Sequence, residues 1–488
     1  MTPARIREIL TTMESSLPVA DWNVDGVPVW PVFRIWFVFA HDEFVARAAV
    51  ESKTLLEAST DRLTSLARGL GHFLGAAISD HQHHQATGRA DVAFFTHTTC
   101  RVFQADGRWY DQFCEPITEM LDERGFSSAL FEHAPRNQYR VPRSRRSQLV
   151  QPMMSAIALG NSLLPSSRLM PGEREIAAYF AAHLPELVLD LQTVRQRVHA
   201  IPRYARYFSR KLARVRPRVA FVVNYYDVAA MAFIFACRQL GIPTVDLQHG
   251  VQGELHLAYS SWTSVPPTGY ALLPTVFWCW SEADAATIRA WSEPVARWHR
   301  PLVAGNLIVA KFMRDEDALV QTFDRDVRSK AGTANILVTL RPGAGLPPLI
   351  RAAIEASPTT WTWWIRLHPA MLDERPAIDA ALAELIGSRV VVEEATRLPL
   401  YALLRVMDCH LTEISSTVLE ADQFGVPSVL CHPTGVEYYA SVVRVAVGAF
   451  TAHEIVTALA AQLDLDLPRL PVVAIDGERL VRLVTSGV

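Results

Sequence analysis

The stretch Cys409-His-Leu-Thr-Glu-Ile-Ser-Ser-Thr-Val-Leu-Glu-Ala-Asp-Gln-Phe-Gly-Val-Pro-Ser-Val-Leu430 holds two short apolar runs separated by a segment that opens on hydroxyl residues. Cys409-His-Leu411 reads as a strand, Ser416 to Phe424 as a helix closed by Gly425, and Pro427-Ser-Val-Leu430 as the next strand. Strand, returning helix and strand is the repeating unit of a parallel sheet. Working back along the chain, the same rhythm is found in the strands Val390-Val-Val392, Trp363-Trp-Ile-Arg-Leu-His368 and Ile336-Leu-Val-Thr-Leu340. Helical patterns lie between them at Leu400 to Val406, Ala377 to Ile386 and Pro347 to Glu355.

Residues 311–333 are charged and read as a connecting segment. Before them lies a second set of alternating signals. Asp91-Val-Ala-Phe-Phe-Thr-His97 and Ser128 to Glu132 read as strands, with an amphipathic helix from Tyr110 to Arg124 between them. The rhythm breaks between about 135 and 200, a stretch that includes Arg140, Arg143, Arg145 and Arg146, and resumes at Val219-Ala-Phe-Val-Val-Asn224. A helix from Asp227 to Leu240, the strand leading to Gln248-His249-Gly250, and strands at Thr275 to Trp280 and Leu302 to Ala304 follow. A chain of 488 residues is too long for one core. The expected architecture is therefore α/β, with two Rossmann-like domains whose parallel sheets face each other across a cleft. The predicted organisation is an N-terminal helical region at 1–88, a first Rossmann-like domain at 89–310, a linker at 311–333, and a second such domain with a C-terminal tail at 334–488.

Composition narrows the partners. Half the residues are hydrophobic and the formal net charge is −3, which gives no electrostatic footprint for nucleic acid. The six cysteines are scattered and form no CxxC pair, so a reducing, cytoplasmic setting fits and a cysteine-zinc site does not. The start of the chain lacks the apolar core of a signal peptide. Val27 to Ala40 is apolar but too short to span a bilayer and contains Arg34, so it reads as a buried or an interfacial helix, the buried one favoured. Residues 203–218 are basic with interleaved aromatic and aliphatic residues, a pattern shared by solvated surface helices and by helices lying on the inner face of a membrane. The patch Asp80-His-Gln-His-His-Gln85 invites a metal reading through its three histidines, but their spacing follows no helix or hairpin and it reads rather as a solvated linker.

In open parallel sheets, ligands bind beyond the carboxyl ends of the strands. Four groups of residues fall there. His249, directly after a strand and followed by Gly250, is placed to accept a proton from a hydroxyl, and equally to be a satisfied strand-end histidine. Arg341, Gly343 and Gly345 follow the first strand of the second half and suit a phosphate, or an ordinary strand-to-helix turn. Arg366 and His368 alternate at the end of the next strand and so share a side. Glu413, Ser415, Ser416, Thr417 and Glu420 surround a helix start, where hydroxyls and free N–H groups suit a diphosphate. Glu420, one turn beyond Ser416, is placed for a ribose hydroxyl.

His249-Gly250, Arg366-Leu-His368-Pro369 and Ser415-Ser416, in this order, resemble motifs of bacterial surface-polysaccharide glycosyltransferases of the GT-B fold. The capsule-synthesis and CDP-glycerol glycerophosphotransferase-like groups are the nearest in kind, and the resemblance covers roughly 90 to 465. It implies transfer of a sugar from a nucleotide-activated donor to a hydroxyl of a glycan or lipid-linked acceptor. CMP- or CDP-linked donors come first, ahead of those linked to UDP, GDP or dTDP. The donor would lie on Arg341, Gly343, Arg366, His368, Glu413, Ser415, Ser416, Thr417 and Glu420, with His249 as the acceptor-side base. No Asp-x-Asp follows a strand there, so no obligatory metal or cofactor is expected beyond the nucleotide sugar itself. Glu413 and Glu420 stand one residue closer than the Glu-x7-Glu of many retaining enzymes. Two other readings share the architecture: a nucleotide-sugar 2-epimerase, for which Glu254, Glu413 and Glu420 are the candidate carboxylates, and a binding protein without turnover.

Overall fold

The apolar runs form the strands of two parallel sheets. The structure is a computed structural model that describes residues 1–41, 88–134, 140, 142–163, 168–343 and 345–486. Near the amino terminus, β1 (Asn23–Val24) and β2 (Val27–Pro28) make a small antiparallel pair. The first large sheet begins with β3 (Val92–His97), after which β4 (Arg101–Ala105) and β5 (Arg108–Asp111) form a separate hairpin. It continues with β6 (Ser128–His133), β7 (Gln148–Leu149), β8 (Val219–Val223), β9 (Thr244–Leu247), β10 (Val276–Cys279) and β11 (Arg300–Val303). Its seven strands are ordered β11-β10-β9-β8-β3-β6-β7, all parallel.

The second sheet contains β12 (Ala334–Thr339), β13 (Trp361–Arg366), β14 (Val390–Val391), β15 (Cys409–Thr412), β16 (Ser428–Leu430) and β17 (Ala446–Gly448). Its order is β14-β13-β12-β15-β16-β17, again all parallel. Every residue of β3, β8 and β12 is buried, because helices cover both faces of a parallel sheet. In each sheet the strand order reverses once, between β3 and β8 and between β12 and β15. Side chains at those two points have no crossover helix above them.

Several segments differ from the sequence reading. The amphipathic stretch from Tyr110 to Arg124 is a helix only over Cys114–Asp122. Its first residues belong to the hairpin, and Asp111 Oδ1 accepts the Phe113 and Cys114 N–H groups to start the helix late. The charged segment 311–333 contains a helix, Ala318–Arg328, which buries Val320, Phe323 and Val327 among second-half residues such as Leu337 and Trp364. The chain's last helix, Gly477–Thr485, does not stay with the second sheet. Leu480 and Val484 pack with Val92 and Phe94 of β3. β7 and β17, two and three residues long, are too short to show a period.

The apolar segment from Val27 to Ala40 is the buried helix Val29–His41. Its Arg34 is fully buried, 2.7 Å from Glu14, and stacks on Trp262 at 4.5 Å. Residues 42–87, including the remainder of the N-terminal helical region and the Asp80–Gln85 patch, lie outside the described residues. The basic stretch 203–218 falls in the helix Leu191–Val215. Ala205, Phe208, Leu212 and Val215 are buried in the first core, so the apolar side that a lipid surface would need faces protein. The apolar side of this helix is thus already taken up by the first core. Among the described residues no helix is long and apolar enough to cross a membrane. All six cysteines are buried, free thiols.

Candidate functional site

The carboxyl edges of the two sheets meet at a cavity of about 320 Å³. The first half contributes His97 at the end of β3, Asn224 beyond β8, His249 beyond β9, and Gln112 and Phe113 after the hairpin. The second half contributes Thr339 and Leu340 after β12, Arg366 to Pro369 after β13, Tyr401, and Ser415, Ser416, Thr417 and Glu420 after β15. Both reversal points therefore open into one cleft. The halves touch across it: Tyr401 donates to Gln112 Oε1 at 3.0 Å, and a Cβ added to Gly250 would stand 3.5 Å from Ser416 Oγ.

His249 is half-buried, and its Nε2 is 3.0 Å from the Tyr226 hydroxyl. Its Nδ1 is buried without a partner. Burial, with His256 and then His97 nearby, pulls the imidazole down to about 3, so it is neutral at ordinary pH. Gln248 fixes the turn that presents it, donating to Gly250 O at 2.8 Å and accepting the Trp280 N–H.

Facing it, Ser416 is the residue before the seven-residue helix Thr417–Gln423, and no side-chain hydrogen bond caps that helix from Ser416. Ser415 takes the local role instead: its Oγ accepts the Thr417 N–H at 3.3 Å and donates to Thr417 Oγ1 at 3.0 Å. Glu420 is buried, its Oε2 has no partner, and burial pushes its carboxyl up to about 8. Arg366 lines the cleft while one guanidinium nitrogen binds Ala395 O and Leu398 O, both at 2.7 Å. Burial lowers it only to about 10, so it remains a cation. His368 is exposed at the cleft mouth.

Seven of the residues singled out from sequence thus line one cavity: His249, Arg366, His368, Ser415, Ser416, Thr417 and Glu420. Arg341, Gly343 and Glu413 do not. Arg341 is turned onto Glu413, Nε to Oε2 at 2.8 Å. The Gly343 and Gly345 N–H groups, which suited a phosphate, donate to the two Glu374 oxygens at 3.2 Å each. A carboxylate of the chain itself fills that anion position. Glu254 is exposed, 4.0 Å from Arg7, and does not line the cleft either.

Sequence reasoning passed over Tyr226, His97 and Asn224. His97 ends a strand and Asn224 and Tyr226 follow one, so the rule that picked out His249 could have found them. Asn224 adopts φ 64°, a left-handed conformation unusual for a side-chain-bearing residue, and its buried Oδ1 has no partner.

No family model matches the chain, and no curated protein matches it. Among solved structures it is similar to a UDP-GlcNAc 2-epimerase from Methanocaldococcus jannaschii in complex with UDP-GlcNAc and UDP, at 13% identity and a TM-score of 0.48, covering 81% of this chain and 99% of that one. A UDP-GlcNAc 2-epimerase from Neisseria meningitidis bound to UDP-GlcNAc gives 13% identity and a TM-score of 0.45, with 81% and 98% covered. Arabidopsis thaliana UGT89C1 complexed with UDP-L-rhamnose gives 12% identity and a TM-score of 0.45, with 82% and 94% covered.

Proposed function

We propose that the cleft binds a nucleotide-activated sugar and transfers its glycosyl group to an acceptor hydroxyl. The observation that carries this reading is the His249-Gly250 turn lying against Ser416, so that a neutral imidazole and a set of hydroxyls line one cavity. The acceptor oxygen attacks the anomeric carbon, its proton passes to the His249 imidazole, and the sugar–phosphate bond breaks toward the nucleotide. Negative charge grows on the leaving phosphate, where Arg366 and the hydroxyls of Ser415, Ser416 and Thr417 are already in place. An imidazole held near 3 is a weak base alone, and the diphosphate entering beside it raises its proton affinity. Glu420, protonated and without a partner at Oε2, is placed to hydrogen-bond a ribose hydroxyl.

Isomerisation at the sugar's C2 is the competing reading. Of the three carboxylates considered for it, only Glu420 lines the cleft. The deciding experiment has two stages. A thermal-shift screen against CMP, CDP, UDP, GDP and dTDP identifies the nucleotide, cytidine forms being tried first. The matching nucleotide sugar is then incubated with and without glycan or lipid-linked acceptors. Nucleotide release that depends on acceptor supports transfer; an altered sugar with no acceptor present refutes it in favour of isomerisation.

A further inference from the structure

We propose that His97, His133 and Asp227 form a binding site for one divalent first-row transition cation of the zinc class. The site goes beyond the glycosyl-transfer reading and does not depend on it, because it lies on the first sheet, opposite the surface assigned to the diphosphate.

The strand register creates the site. His97 and His133 are the last residues of β3 and β6 and are paired partners in the ladder, so their side chains leave the same face of the sheet. Asp227 follows β8 on the other side of β3, directly before the helix Val228–Gln239. Three adjacent strands thus deliver two imidazoles and a carboxylate to one point beside the reversal of strand order. His133 Nδ1 is 3.1 Å and His97 Nε2 3.6 Å from the same oxygen, Asp227 Oδ2, and the three ligand atoms all lie within 4.8 Å of one another. Bonds of about 2.0–2.2 Å in a tetrahedron put ligand atoms about 3.3 Å apart, so small side-chain shifts suffice. Among the described residues this is the one group of three or more histidine, cysteine or acidic side chains so arranged.

A metal-free hydrogen-bonded triad accounts for His133 and Asp227 but not for His97. Both histidines are 8% exposed, and His97 Nε2 is buried with no hydrogen-bond partner while directed at the Asp227 carboxylate. A buried ring nitrogen without a hydrogen-bond partner is costly in either tautomer, and a bound cation would give Nε2 a partner. The carboxylate is already oriented, since Asp227 Oδ1 accepts the Ala229 N–H at 3.1 Å, as outer-shell bonds orient metal ligands. Two nitrogens and one carboxylate oxygen favour zinc, cobalt or iron(II) over magnesium or calcium. Three protein ligands leave a fourth position, and a second cavity of about 430 Å³, lined by His133, Asp227, Arg197 and Tyr204, opens beside them.

The test uses the full chain carrying His81→Gln, His83→Gln and His84→Gln, which removes the other closely spaced histidines. After chelator treatment, this protein is titrated with zinc alone by calorimetry. The expected result is one equivalent bound with a Kd of about 1 µM or below. Adding His133→Gln or Asp227→Asn, which keeps the helix cap, is expected to weaken binding by at least about tenfold. X-ray absorption on the zinc-loaded parent, which needs no ligand variant to fold, is expected to show nitrogen and oxygen ligands with two imidazoles. Absent stoichiometric binding, affinity unchanged by both ligand variants, or an absorption spectrum with sulfur or without two imidazoles would each overturn the site.

Discussion

The two reversal points face the same cleft with opposite chemistry. Around the first, the side chains are imidazoles and a phenol: His97, His249 and Tyr226, with His256 behind them at 5.5 Å ring to ring from Tyr226. Burial pulls His256 down to about 4, as it pulls His249 lower still, so these two imidazoles are uncharged at ordinary pH. Around the second, the side chains are hydroxyls and one guanidinium, which offer hydrogen bonds and a fixed charge. One architecture is used twice, and the residues at and just past the strand ends give each copy its own side-chain chemistry. The first half presents neutral imidazoles and a phenol, and the second presents hydroxyls and a fixed positive charge.

Mutation can break that division at either end. The largest effect is expected from His249→Ala, which should lower kcat by about 10²–10⁴-fold while the nucleotide Kd changes less than about twofold. Steady-state kinetics beside a direct binding measurement check this, and an equal loss in binding would place His249 on the wrong side of the comparison. Ser416→Ala should act the other way, weakening nucleotide binding by about tenfold. If nucleotide affinity is indifferent to it, the second half is not where the anion sits.

The smallest expected effect concerns stability and sharpens the comparison through Glu420. Its carboxyl is raised by burial to about 8, so folding favours the protonated form. The associated stability is complete below the normal carboxylate range and is lost as pH rises through about 8. Asp246, buried and also raised to about 8, slopes in the same direction. Glu420→Gln should remove its share and leave that of Asp246, so the variant's Tm should exceed the parent's by about 2–4 °C at pH 9 and not at pH 5. Identical Tm-against-pH curves would mean that Glu420 is not buried as described.

The sheets were legible because buried parallel strands need continuous apolar runs, and Val219 to Val223 or Ile336 to Thr339 advertise this directly. Most of the second-half site was legible for a related reason. Ser415, Ser416 and Arg366 follow such runs in sequence, so finding the strand finds the residue. Arg341 and Gly343 satisfied the same rule and yet lie outside the cleft lining, because Glu413 and Glu374 take them up, and both partners approach through tertiary contacts that local spacing cannot reveal. The pairing of His97 with His133 was hidden similarly. It depends on β3 and β6 being neighbours in register, which neither strand states alone.

The return of the last helix to the first sheet has a mechanical consequence. The chain passes between the halves twice, and the crossings run side by side: Gly305 bridges Ala474, and the Ile475 N–H donates to Ala304 O at 2.8 Å. Gly305, at φ 78°, leaves no room for a Cβ, which would overlap the Val473 carbonyl. The two crossings are thereby fastened to each other at one place. Any relative movement of the halves must carry both crossings together, because Gly305 and Ala304 are tied to Ala474 and Ile475 through the backbone.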